Sequence, residues 1–90
     1  MNKKERTIQA LKQLGIQPSQ VFKLYGAQTK YLRQNLVWAI TGEKQPIAKC
    51  GFLRVRELLY GVFGIDPSAC GCTAHAEKLL EEAIAGALPV

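Results

Sequence analysis

The sequence has no long apolar run. Charged side chains interrupt its apolar stretches, at Arg54, Arg56, Glu57, Glu81 and Glu82. A membrane-spanning helix needs about 20 mostly apolar residues. The charged start of the chain, residues 1–6, is not followed by the apolar segment of a signal peptide. We therefore predict that the protein has no membrane partner and stays in the cytoplasm.

Cysteine and histidine are scarce, with three Cys and one His. An odd count does not favour a disulfide framework, and Cys70 and Cys72 are too close in sequence to pair with each other. Together with Cys50 and His75 they have the Cys₃His composition of a structural zinc site. Paired zinc ligands, however, are usually separated by about two to four residues, whereas only one residue separates Cys70 from Cys72. We therefore predict free thiols in a reducing compartment, with no metal and no cofactor. Zinc bound by these four residues is the alternative.

The single histidine also argues against catalysis. A nucleophilic cysteine would have only His75 as its base, and no acidic residue is clearly placed to orient that imidazole. The sequence contains no glycine-rich loop of the kind that holds phosphates. We predict that the protein is not an enzyme.

Apolar residues at helical spacing are abundant, and glycine and proline separate them into short segments. Ninety residues are enough for one domain, which we expect to span 1–90. The predicted helices cover residues 7–14, 18–25, 28–41, 52–63 and 73–86. In the third of these, Leu32, Leu36 and Ile40 repeat every four residues and mark one buried face. The sequence therefore predicts an all-α fold, a compact bundle of four to five short helices.

The charge is distributed unevenly along the chain. The first 56 residues contain eleven Lys and Arg against Glu5 and Glu43, whereas the remainder contains Lys78 against five acidic residues. A basic half of this kind favours an anionic partner, although it is also compatible with an ordinary solvated surface.

Residues 17–36 form a possible helix-turn-helix, with a short helix, a turn at Gly26 and a second helix. This segment resembles the helix-turn-helix of phage-repressor-type regulators. The family has apolar residues before the turn, a small buried residue after the glycine and an aliphatic residue between the two helices. The corresponding residues here are Val21, Phe22, Tyr25, Ala27 and Leu32. Phe22 and Asn35 depart from the family's small and aliphatic residues, which would fit a shifted register or a different pairing of helices.

The resemblance implies a small DNA-binding transcriptional regulator whose third helix reads the major groove of double-stranded DNA. The positions that the family directs at DNA are Gln28, Thr29, Lys30, Arg33 and Gln34. Lysine and arginine bind guanine edges or phosphates, and glutamine pairs with adenine. Additional phosphate contacts are expected from Lys3, Lys4, Arg6 and Lys44. Residues that pair two copies into a homodimer would lie on the acidic C-terminal helix, at Leu79, Leu80, Ile84 and Leu88.

The alternative is a protein of another class, a small adaptor or inhibitor that binds a partner protein and no DNA. Its basic half would meet an acidic protein surface, and Val37, Trp38 or Phe63 would form an exposed apolar patch. We otherwise expect Trp38 in the core or in a dimer contact. The DNA hypothesis requires that Gln28, Lys30 and Arg33 be exposed on one face with Leu32 buried beneath them. It fails if other helices enclose the third helix.

Overall fold

The computed structural model describes residues 2–24, 26–68 and 72–88. These residues form four α-helices: α1 (Lys3–Gln13), α2 (Thr29–Thr41), α3 (Phe52–Phe63) and α4 (Thr73–Ala87). Two short 3₁₀ helices lie at Pro18–Lys23 and Ile47–Lys49. No strand occurs in the described ranges, and the predicted all-α class is confirmed. None of the helices described has both the length and the apolar character needed to cross a bilayer.

The helix ends follow the capping residues in the sequence. The side chain of Asn2 accepts a hydrogen bond from the amide of Glu5 at 2.8 Å, so α1 begins four residues before the apolar pattern that predicted it. Gly42 and Gly64 end α2 and α3 in the left-handed conformation, with φ of 76° and 72°. Glycine adopts this conformation without steric cost. The predicted ends at these two glycines are confirmed.

The first half of the predicted helix-turn-helix differs from the expectation of an α-helix over 18–25. It is a 3₁₀ helix, Pro18–Lys23, and it packs chiefly against α4 rather than α2. Pro18 supplies no amide donor to a helix. The amide of the preceding residue, Gln17, donates a hydrogen bond to the side-chain oxygen of Gln20 at 3.0 Å. Only six residues are helical here, and they form a 3₁₀ helix in place of the short α-helix that the sequence predicts. Tyr25 lies outside the described residues.

Two further expectations for this motif have different outcomes. Ala27 was expected to be buried after the turn, but it is exposed because the 3₁₀ helix does not fold back over the start of α2. Leu32 is half-buried, in a cleft that it shares with Leu14 and Leu24. Leu32 therefore faces the segment that precedes α2, as expected, whereas Ala27 does not.

One apolar core joins the four α-helices. Its buried residues are Leu11, Ile16, Val21, Leu24, Leu36, Val37, Ile40, Cys50, Val55, Leu59, Tyr60, Ala76, Leu80 and Ile84. Val37 is fully buried, so it cannot belong to the exposed apolar patch expected of an adaptor. Leu80 and Ile84 are also fully buried. A homodimer contact on the C-terminal helix would therefore have only Leu79 and Leu88, which are half-buried, from the expected set.

Candidate nucleic-acid interface

The five residues predicted to contact DNA do not share one exposed face. Gln28 and Lys30 are exposed at the start of α2, whereas Thr29, Arg33 and Gln34 are half-buried. The Thr29 hydroxyl donates a hydrogen bond to the carbonyl of Gly26 at 3.0 Å. The polar group of Thr29 thus closes the turn that leads into α2.

Arg33 is held by the chain's own backbone. Its guanidinium donates hydrogen bonds to the carbonyls of Leu24 and Cys50, the latter at 3.3 Å, and to the Thr29 hydroxyl at 3.3 Å. These contacts join α2 to the end of the first 3₁₀ helix and to the segment before α3. Arg33 therefore acts as a tether between three parts of the fold, and its donors are directed inward.

The position of Arg33 follows from the face that α2 buries. The buried residues of the helix are Leu36, Val37 and Ile40. Arg33 precedes them by three, four and seven residues, so it lies on the same face one turn earlier. Of the buried face predicted from the sequence, Leu36 and Ile40 are buried and Leu32 is half-buried. The buried face therefore also includes Val37 and, one turn earlier, the side of the helix that carries Arg33.

The loop from Glu43 to Cys50 runs back along the side of α2. The Trp38 indole Nε1 donates to the carbonyl of Gln45 at 2.9 Å, and the Gln34 Nε2 reaches the same carbonyl at 3.5 Å. Further along the loop, the carbonyl of Cys50 accepts from Arg33. The contacts move from Trp38 back to Arg33 as the loop advances, so the loop is antiparallel to the helix. We call it the pinned loop.

Three exposed lysines lie on α2 and the pinned loop: Lys30, Lys44 and Lys49. We call this set the basic flank. The two ion pairs found among the described residues join Arg54 to Glu57 and Arg56 to Glu77, and neither involves these lysines. Glu43 is the one carboxylate in the sequence between Glu5 and Glu57. The flank therefore has three exposed lysines and one exposed carboxylate, that of Glu43, on the helix and loop that form it.

Two aromatic side chains accompany the basic flank. Tyr31 is 59% exposed, and the Lys30 ammonium lies 5.7 Å from the centre of its ring. Trp38 is half-buried, and the Lys44 ammonium lies 5.7 Å from the centre of its ring. Both distances fall within the range of a cation–π contact. The expectation of Trp38 in the core is thus met only in part, because its side chain is half-buried.

The other predicted phosphate contacts lie on α1. Lys3, Lys4 and Arg6 belong to the first turns of α1. The Lys4 ammonium is 5.7 Å from the ring centre of Phe63. The Arg6 guanidinium lies against Gly42, where an added Cβ would be 2.9 Å from Nη1. Arg6 is therefore packed into the fold, while Lys3 and Lys4 remain exposed.

The residues considered for zinc are only partly described. Cys50 is buried, and burial raises the pKa of its thiol. Its Sγ donates to the carbonyl of Pro46 at 3.4 Å, so it behaves as a small core residue. Cys72 and His75 are exposed, and Cys70 lies outside the described residues. Within residues 2–24, 26–68 and 72–88, no three potential ligands are grouped.

A scan against protein-family models, a search of curated proteins and a search of solved structures found no match to this chain.

Proposed function

We propose that this domain binds DNA along the basic flank. The observation that carries the proposal is that Lys30 on α2 and Lys44 and Lys49 on the pinned loop are all exposed, and that hydrogen bonds hold this loop to the helix. Lysines carried along one flank by a held backbone suit an extended polyanion, because each contact with a phosphate releases condensed counterions. A flexible loop would lose more entropy on binding than this pinned loop.

The same geometry argues against base reading by Arg33 and favours phosphate contacts by the exposed lysines. Hydrogen bonds to bases need free donors and acceptors, and the Arg33 guanidinium already donates to the chain's own backbone. Gln28 and Lys30 remain available at the exposed start of α2. A small transcriptional regulator in the cytoplasm, as predicted from the sequence, is the biological role that we propose for such a surface.

The salt dependence of DNA affinity tests this proposal. We expect the double variant Lys30→Ala/Lys44→Ala to bind DNA more weakly and to flatten the dependence of log K on log salt by about 1.4 to 1.8, from about 0.7 to 0.9 per lost phosphate contact. Fluorescence anisotropy with labelled DNA at several salt concentrations measures both quantities.

A control variant of equal charge separates a local contact from net charge. Lys12→Ala/Lys78→Ala removes two exposed lysines of α1 and α4 and lowers the net charge by the same amount. We expect it to retain most of the affinity and the salt slope. Equal losses in both double variants would contradict a specific flank, and no binding at about 50 mM salt would contradict DNA binding altogether.

A second candidate function follows from Leu53, which is 73% exposed on α3. It borders a shallow apolar groove of about 240 Å³ together with Arg56, Tyr60 and Pro67. An exposed leucine beside a half-buried arginine and a buried tyrosine leaves a small apolar surface that a partner protein could cover. A partner protein that docks here would fit the adaptor alternative.

Leu53→Ser tests the adaptor function. If a partner binds the groove, we expect this substitution to weaken that complex by about tenfold or more, because the anchor side chain loses its apolar contact. Isothermal titration calorimetry with the purified partner measures the change, and Leu79→Ser on α4 is the control. Unchanged DNA affinity in Leu53→Ser would show that the two surfaces are separate, whereas unchanged partner affinity would rule out the groove.

A further inference from the structure

Tyr31 has an unusual environment for an aromatic residue on a helix that packs against two others. It lies on α2, which contacts both α1 and α3, but its side chain is 59% exposed. Burial of a tyrosine ring would contribute favourable apolar free energy, and the fold does not use it. The ring therefore has an open face beside the Lys30 ammonium.

Trp38 follows Tyr31 by seven residues, which places the two rings on the same side of α2. At the rise of an α-helix their positions are about 10.5 Å apart along the axis. Asn35, between them on this side, is exposed, and Gln34 is half-buried. Two aromatic rings with polar amides between them thus follow the basic flank.

The hydrogen-bonding group of Trp38 is already occupied. Its Nε1 donates to the carbonyl of Gln45 at 2.9 Å, and indole has no other donor. What this side chain can offer a ligand is the face of its ring. The exposed Lys44, whose ammonium lies over that ring, can reach a phosphate instead because its stem is flexible.

Base faces are available to such rings only in an unpaired strand. In a duplex each base is covered by its stacked neighbours, and a helix in the major groove meets base edges. A single strand exposes the π-faces of its bases, which stack on aromatic side chains while its phosphates meet a basic groove. The arrangement of rings and lysines on this side of α2 fits a single strand.

We propose that the basic flank binds single-stranded DNA, with bases stacked on Tyr31 and Trp38 and phosphates beside Lys30, Lys44 and Lys49. The span of about 10.5 Å between the rings corresponds to about three steps of a stacked strand at 3.4 Å per nucleotide. This inference rests on the proposed DNA-binding function and specifies the form of DNA that the site takes.

Tyr31→Ala is the informative substitution, because an exposed side chain can be removed without opening the core. We expect it to weaken binding of a labelled oligothymidine of about 12 nucleotides by about 5- to 150-fold, the range for loss of one stacked base, and to change duplex affinity little. Tyr31→Phe, which keeps the ring face, should bind like the wild type. Trp38 is the sole tryptophan, so quenching of its fluorescence by the strand gives an independent readout.

The outcomes distinguish this inference from the broader function. Tighter binding of the strand than of a duplex of equal length, lost in Tyr31→Ala and retained in Tyr31→Phe, supports stacking. If the duplex binds as tightly as the single strand or more tightly, and Tyr31→Ala leaves its affinity unchanged, the single-strand inference is overturned and DNA binding remains in place. Absence of binding to both forms at about 50 mM salt would overturn the proposed function as well.

Discussion

Arg33→Met should lower the free energy of unfolding by about 2 to 4 kcal/mol. Hydrogen bonds from a charged donor each contribute about 1.5 to 3 kcal/mol, and a buried acceptor left without a donor carries a further penalty. Methionine preserves much of the apolar stem of Arg33 but supplies no donor to the carbonyls of Leu24 and Cys50. The substitution therefore releases two segments that the guanidinium holds to α2.

Urea denaturation followed by circular dichroism measures this effect. Arg33→Lys should recover only part of the loss, since an ammonium group cannot reproduce the planar fork of the guanidinium. Lys30→Met is the matched control on the same helix, and its exposed side chain predicts a change within about 0.5 kcal/mol. A variant Arg33→Met that is as stable as the wild type but binds DNA poorly would show instead that Arg33 faces the ligand.

Leu59→Ala should destabilise the domain by about 2 to 5 kcal/mol, the range for a leucine removed from a closed core. Leu59 is fully buried on α3, where it belongs to the single core cluster. Each kcal/mol corresponds to about 4 to 8 °C in Tm for a domain of this size. Thermal unfolding should therefore show a large downward shift, and the variant will be partly unfolded if the wild type is only marginally stable.

The same helix provides the control. Leu53→Ala makes the identical chemical change at a position that is 73% exposed, so we expect a change within about 0.5 kcal/mol. Helix propensity contributes little to the difference, because both substitutions replace leucine with alanine on α3. Similar destabilisation by the two substitutions would contradict the assignment of α3's buried face.

Local signals in the sequence were sufficient for most of the secondary structure. The bounds of α3 were predicted to the residue, because Gly51 and Gly64 flank a strongly apolar segment. The stop of α2 at Gly42 is equally local. The segment after Gly15 was less predictable, since a proline at its start is compatible with either an α-helix or a 3₁₀ helix. Its packing on α4 is a tertiary contact.

The candidate site was predicted less completely than the fold. Lys44 was identified as a basic residue of the loop, whereas Lys30 and Arg33 were both assigned to DNA from their positions in the helix-turn-helix that the segment resembles. The sequence did contain a signal for the inward position of Arg33, because Arg33 precedes the apolar Val37 and Ile40 by four and seven residues and therefore lies on the same face of the helix. The role of Tyr31 and the path of the pinned loop depend on how α2 is rotated and on hydrogen bonds to Gln45, and neither is encoded by local pattern.

The pinned loop also has a consequence for sequence change. Surface loops usually tolerate insertions because few contacts depend on their backbone. Here the carbonyls of Gln45 and Cys50 are acceptors for side chains of α2, so an added residue would shift every contact after it and misplace Lys49 relative to Lys30. The length of this segment is therefore more constrained than that of an ordinary surface loop.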